Sequence, residues 1–319
     1  MDYVRLGGTG VRVSRLCLGT AFRGPQDEGV CARVIDRALD LGCNFIDCAN
    51  FYGQGRSEQI VGQALKGKRD DVVLTTKVWS TMGPGPNDRG LSRFHILREI
   101  DRSLERLQTD HVDLYLLHAF DADTPLAETL QAMDDVVSQG KARYVGACNF
   151  TAAQTVEALW VGDALGLRPL VCLQNQYNLL HRVELEPEVL PLCRRRGLGM
   201  MTYSPLAIGL LTGRFRRGLA PPEDSPWAKG HYNLERALTE QNDEIIQTLV
   251  EIGERHGRTP AQVALAWVLD HSEVSAAIVG PDSPAHVDDV CGGLEWALER
   301  EEREVLDRVS RVELPRDYT

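Results

Sequence analysis

Eight times along this chain a short apolar run is followed by a segment whose apolar residues recur at helical spacing. The runs are LCLGT (Leu16 to Thr20), NFID, DVVLTTKV, HVDLYLLH, ARYVGACNF, VCLQNQ, LGMMTYSP and SAAIVG. They are continuously apolar and do not alternate with polar residues, so each reads as a strand covered on both faces. The helical segments include Asp27 to Leu41, which Gly42 would cap, SEQIVGQALKG opened by Ser57, and RFHILREIDRSLERL. LAETLQAMDDVVSQG, TAAQTVEALWVGDAL and VELEPEVLPLCRRRG continue the series. After a long connection, roughly Leu206 to Thr239, come helices at Glu240 to His256, Pro260 to Asp270 and Pro284 to Leu298. The count and order favour a closed (β/α)₈ TIM barrel over an open doubly wound sheet. Ahead of it, Tyr3 to Leu6 and Val11 to Val13 flank the turn GGTG as a β-hairpin. A last helix, about Glu301 to Val312, is extra to the count.

A chain of 319 residues suits one barrel domain spanning 1–319. No GxGxxG follows the first strand: GGTG falls in the hairpin turn and GPGPNDRG in the loop after Lys77, so neither is a dinucleotide fingerprint. The net charge of −11 and the lack of a basic run argue against nucleic acid. Nothing approaches a membrane span, and the amino terminus shows no basic-then-apolar signal segment, which makes the cytoplasm the default. The eight cysteines and the histidines lack the spacing of a metal or redox site, so reduced, buried thiols and no metal are expected.

In such a barrel, side chains at the carboxyl ends of the strands converge on one mouth. Asp47 closes the second barrel strand, Lys77 the third and His118 the fourth, with Tyr52 in the loop after the second. Singly each has an ordinary explanation: a turn cap, a rim charge, a loop histidine, a half-buried aromatic. At successive strand ends they form a set suited to proton transfer by a phenol. A free phenol has a pKa of about 10. A lysine beside it should favour the phenolate and lower that value, with Asp47 keeping the lysine charged. Neutral His118 would orient a substrate oxygen. Hydride is beyond any side chain here, so this chemistry requires a cofactor.

The stretches LGGTGVRVSRLCLGT, GCNFIDCANFYGQGRSE, LTTKV, VDLYLLH, GKARYVGACNF, LQNQYNLL and YSPLAIGLLTGR, in this order, resemble the aldo-keto reductases along nearly the whole chain. The resemblance is to their bacterial and potassium-channel-β-subunit-like branch. It implies a barrel whose hairpin closes the bottom, and interconversion of small carbonyl and alcohol substrates with NADP or NAD. It also implies the tetrad Asp47, Tyr52, Lys77 and His118, with Tyr52 as general acid. Cys148, Asn149 and Gln174 match positions that hold the nicotinamide carboxamide, Cys148 standing where the family usually has serine. Tyr203 matches the aromatic stacked on the nicotinamide ring. Ser204, Leu206, Gly209, Leu211, Gly213 and Arg214 match the pyrophosphate loop. Thr20, Gly280, Asp282, Ser283, His286 and Asp289 complete the implied cofactor set. A carboxylate at Asp282 would repel a 2′-phosphate, which leans towards NAD. Arg214, Arg216 and Arg217 would lean the other way, and Asp282 has the alternative role of capping the helix near Pro284.

Phe22, Trp79, Phe120 and Phe150 follow strand ends and would wall a substrate pocket or simply pack. Two rival functions stand beside the reductase: a Schiff-base aldolase using Lys77, and a cofactor-binding regulatory protein resembling a potassium-channel β-subunit.

Overall fold

The computed structural model describes residues 1–22, 27–223 and 225–312. Eight parallel strands close into a barrel: β3 (Leu16–Gly19), β4 (Phe45–Asp47), β5 (Val73–Val78), β6 (Val112–Leu117), β7 (Ala142–Cys148), β8 (Cys172–Gln176), β9 (Gly199–Tyr203) and β10 (Val274–Val279). They follow in chain order, and β10 pairs back onto β3 through Ile278 and Cys17. Before them, β1 (Tyr3–Arg5) and β2 (Arg12–Ser14) form the antiparallel hairpin. Its turn covers the amino-terminal end of the barrel: Gly8 N–H donates to Gly197 O at 2.6 Å, and Leu6 is buried among the inward-facing residues. At Gly7, which has φ 55°, a Cβ would fall 2.4 Å from the Gly199 nitrogen, so only glycine lets the hairpin approach this closely.

The hydrophobic interior is split in two by the strands. Inward-facing Cys17, Phe45, Leu114, Leu116, Cys172 and Met201 fill the barrel. A larger outer layer packs the opposite strand faces against the helices. Two-sided burial is what continuously apolar strands require.

The helices are α1 (Glu28–Asp40), α2 (Arg56–Ala64), α3 (Arg93–Leu107), α4 (Leu126–Ser138), α5 (Ala152–Ala164), α6 (Leu190–Arg196), α7 (Leu234–Ala237), α8 (Glu240–His256), α9 (Pro260–Leu269), α10 (Pro284–Gly292) and α11 (Arg300–Val309). Asp27 caps α1 by accepting from Gly29 N, and Gly42 follows that helix with φ 86°. The start of α2 differs from expectation. Ser57 lies inside the helix, which begins after Gly55 (φ 96°), and its hydroxyl meets the Thr20 hydroxyl at 2.9 Å. A π-helical turn, Leu185–Val189, precedes α6. α10 stops at Gly292, earlier than Leu298, because residues 293–296 turn back through Gly293 N–Val290 O and Leu294 N–Cys291 O bonds. The long connection after β9 contains a 3₁₀ turn, Leu210–Thr212, and α7.

Candidate active site

Side chains alternate along β5, so Thr75 and Lys77 point into the barrel while Thr76 points to the helices. Lys77 is fully buried. Its ammonium has three N–H donors and three acceptors: Asp47 Oδ2 at 2.7 Å, Cys48 O at 2.8 Å and the Tyr52 hydroxyl at 3.2 Å. Asp47 Oδ1 accepts from Gln174 Nε2 at 2.8 Å across the barrel. His118 follows β6, its N–H donating to Val78 O, and its ring meets the Tyr52 ring edge-on at 5.9 Å. Asp47, Tyr52, Lys77 and His118 are thus brought together from three adjacent strands.

The electrostatics depart from the sequence argument in one respect. The ammonium does pull the phenol down, but burial outweighs it and pushes Tyr52 up to about 12. Burial alone would drive Lys77 the other way, down. The adjacent Asp47 carboxylate and Tyr52 reverse that and hold the ammonium above its ordinary value. Burial, helped by the Lys77 charge, takes His118 down to about 3, so its ring is neutral near neutral pH. Its Nδ1 is buried without a hydrogen-bond partner among the described residues. The chemistry on offer is a protonated phenol touching a fixed cation, beside a neutral imidazole with an unused nitrogen. Imine formation needs a neutral, reachable amine. A fully buried ammonium with all three donors engaged does not present such an amine, which weighs against the aldolase alternative.

On the β7 to β10 side the site combines a few polar side chains with loop backbone. Asn149 has φ 60°; its amide nitrogen donates to His118 O at 3.0 Å and its Oδ1 accepts from the Tyr203 hydroxyl at 2.9 Å. Ser204, Ala207, Ile208 and Gly209 also have positive φ. Within this loop the N–H groups of Ala207, Leu210, Leu211 and Thr212 donate to the loop's own carbonyls. Those of Ile208 and Gly209 meet no acceptor among the described residues. A pair of unused, half-exposed amides in such a turn is a fit for an anionic group such as a pyrophosphate. Gly213, at φ 79°, lies so close to Pro260 that a Cβ would fall 2.8 Å from its Cγ.

Other implied cofactor positions are occupied differently. Thr20 is buried, its hydroxyl bonded to Asp47 O at 3.0 Å and to Ser57. Cys148 is buried inside the barrel, where desolvation raises its thiol well above the ordinary value despite nearby Lys77. Leu206 is half-buried and Leu211 fully so. Gly280, Asp282 and His286 are exposed, as is Arg214. Ser283, not Asp282, caps α10, accepting from His286 N at 3.3 Å. Asp289 ties α10 to α9 through Thr259 at 2.9 Å and Gln262. Arg216 is held by Asp243 at 3.0 Å, so its charge is already matched.

Of the four aromatics, Phe150 is fully buried and Phe22 nearly so. Phe120 packs edge-on against Phe150 at 5.3 Å, and Trp79 alone of the four is exposed, at 39%. Three of them therefore pack mainly into the outer core. Two further residues brace the loop after β9, one of them Trp227, which as a residue of the long connection reads as part of a lid or of the surface and is in fact buried. Asn178 donates to Ser204 O at 2.8 Å, and Trp227 Nε1 donates to Ile208 O at 3.0 Å. Asn178 lies in the quoted LQNQYNLL stretch; Trp227, 19 residues from its partner, carries no local signal of that contact.

A model of the Aldo/keto reductase family matches residues 15–311. A protein of Arabidopsis thaliana described as a probable voltage-gated potassium channel subunit beta is 40% identical over 288 residues, 88% of this chain and 87% of that relative. An Oryza sativa subsp. japonica protein of the same description is 39% identical over 287 residues, covering 88% and 87%. The uncharacterized oxidoreductase YrpG of Bacillus subtilis (strain 168) is 39% identical over 322 residues, covering 97% and 96%.

Proposed function

The chain belongs to the aldo/keto reductase family and so to the oxidoreductases, and from that premise we propose that it interconverts aldehydes or ketones and alcohols, with Tyr52 as the proton donor. The observation that carries this reading is Lys77 Nζ standing 2.7 Å from Asp47 and 3.2 Å from the Tyr52 hydroxyl. A reduced nicotinamide, when bound, supplies the hydride. Tyr52 gives its proton to the carbonyl oxygen as negative charge develops there. Lys77 stabilises the phenolate that remains, and Asp47 keeps Lys77 charged and in place. The neutral His118 ring orients the carbonyl oxygen without competing as an acid.

Asn149 and Gln174 would hold the carboxamide and the Tyr203 ring the nicotinamide face. The amides of Ile208 and Gly209 would take the pyrophosphate. Asp282 leans towards NADH, since a carboxylate accepts from a ribose diol and repels a 2′-phosphate. Arg216 is bound to Asp243, while exposed Arg214 and Arg217 lean towards NADPH, and titration with both dinucleotides decides between them.

The test is fluorescence titration of wild type and Tyr52→Phe with NADH and NADPH, followed by turnover on a panel of aldehydes and ketones. Tyr52→Phe should lower turnover about 10²- to 10⁴-fold with dinucleotide affinity nearly unchanged. Equal turnover would remove the acid assignment.

A second reading, a cofactor-binding subunit of a channel, is favoured by the descriptions of the two plant relatives. Intact dinucleotide binding with negligible turnover across the panel would select it.

A further inference from the structure

The loop carrying Tyr52 joins β4 to α2 and would be free to move if Lys77 were its only anchor. Behind it lies a polar cluster that the proton-transfer chemistry does not use. Glu58 on α2 and Glu99 on α3 are both fully buried. Buried carboxylates are retained only when paired and hydrogen-bonded. Arg106, one helical face along α3, provides that pairing: Nε lies 2.6 Å from Glu58 Oε2, and Nη2 lies 3.8 Å from Glu99 Oε2. Arg102 adds a contact to Glu99 at 2.9 Å.

Each acid also reaches an element of the active site. Glu58 Oε1 accepts from the Thr76 hydroxyl at 2.6 Å, and Thr76 is the residue before Lys77. Glu99 Oε2 accepts from Asn50 Nδ2 at 3.2 Å; Asn50 is fully buried and lies two residues before Tyr52. Three residues beyond Tyr52, Gly55 adopts φ 96° and lies against the same arginine, where a Cβ would fall 2.7 Å from Arg106 Cδ. The Tyr52 loop is therefore gripped on both flanks, and the strand bearing Lys77 is gripped by the same charges. A cluster that merely packed α2 on α3 would need neither the Asn50 nor the Thr76 contact.

We infer that Glu58, Glu99, Arg106 and Asn50 form a buried brace that positions the Tyr52 hydroxyl against Lys77. These are positioning residues: none touches a reacting atom. The inference rests on the proposed reductase reading for its catalytic consequence, but the geometry it asserts is measurable without turnover.

The test uses the full chain with ¹³C-labelled tyrosine, the Tyr52 resonance being assigned by its loss in Tyr52→Phe. Loosening the brace in Arg106→Met or Glu58→Gln should hydrate the phenol and lower its titration midpoint towards the ordinary value of about 10. In the same variants kcat should fall about 10- to 100-fold, with the carbonyl KM and dinucleotide Kd within about twofold. Arg106→Lys, which keeps the charge but not the fork, should fall between. An unchanged Tyr52 titration in a folded variant overturns the brace whatever the turnover. Wild type that titrates as expected but reduces no carbonyl overturns the reductase reading alone. Should Arg106→Met fail to fold, Asn50→Ala carries the same measurement, because it cuts one tie and leaves both acids paired with arginine.

Discussion

On the β4 to β6 side of the barrel mouth every donor of Lys77 is engaged and the ammonium is fully buried. On the β7 to β10 side, Asn149, Ser204, Ala207, Ile208 and Gly209 are half-exposed or exposed and hold positive φ. The first half is assembled from charges whose partners all come from the protein. The second is assembled largely from loop backbone, where amides such as those of Ile208 and Gly209 meet no acceptor among the described residues. The half proposed for proton transfer is therefore satisfied by the chain itself, whereas the other half leaves amides open to the proposed dinucleotide. A change on the first side should register as lost stability and turnover, and a change on the second mainly as lost affinity.

The contrast breaks if Asp47→Ala is well tolerated. Removing it strands a buried ammonium, for which a destabilisation of about 3–5 kcal/mol is expected, read from the denaturant midpoint at constant slope. His118 sharpens the same point through pH. Its folded pKa of about 3 lies below the unfolded value, so between these values the unfolded chain binds the extra proton. Stability should therefore fall by a few kcal/mol as pH drops from about 6.5 towards 3. His118→Gln should flatten that slope in denaturation series at stepped pH. The smallest effect belongs to the opposite side. Asn149→Ala keeps the β-carbon at φ 60° but loses the side-chain bonds to His118 O and the Tyr203 hydroxyl. Dinucleotide affinity should fall with them, and Asn149→Gly, which relaxes the backbone without restoring the bonds, should not recover it. Equal affinity for Ala and wild type would remove Asn149 from the binding half.

The barrel was readable because its strands are apolar on both faces and separated by helices of ordinary length; β3 to β10 fall where those runs stand. The meeting of Asp47, Lys77 and Tyr52 was readable because strand ends converge in a closed barrel whatever the loops do. The balance of burial against charge at Tyr52 was not. Its sign depends on how much water the phenol loses, which no local pattern carries. Phe150 and Phe22 were equally opaque, since an aromatic after a strand faces the mouth or the outer core according to a turn of one residue. The brace escaped for a different reason. Glu58, Glu99 and Arg106 look like ordinary surface charges of amphipathic helices, and only the packing of α2 on α3 buries them.

A phenol that keeps its proton to about pH 12 also gives the proposed reaction an unequal pair of directions. Reduction begins from the protonated phenol, the dominant form at any physiological acidity, so its rate should be flat there. Alcohol oxidation begins from the phenolate, a scarce form that becomes commoner with every step towards alkali. In the absence of other changes the forward traffic runs at full strength while the return waits for base.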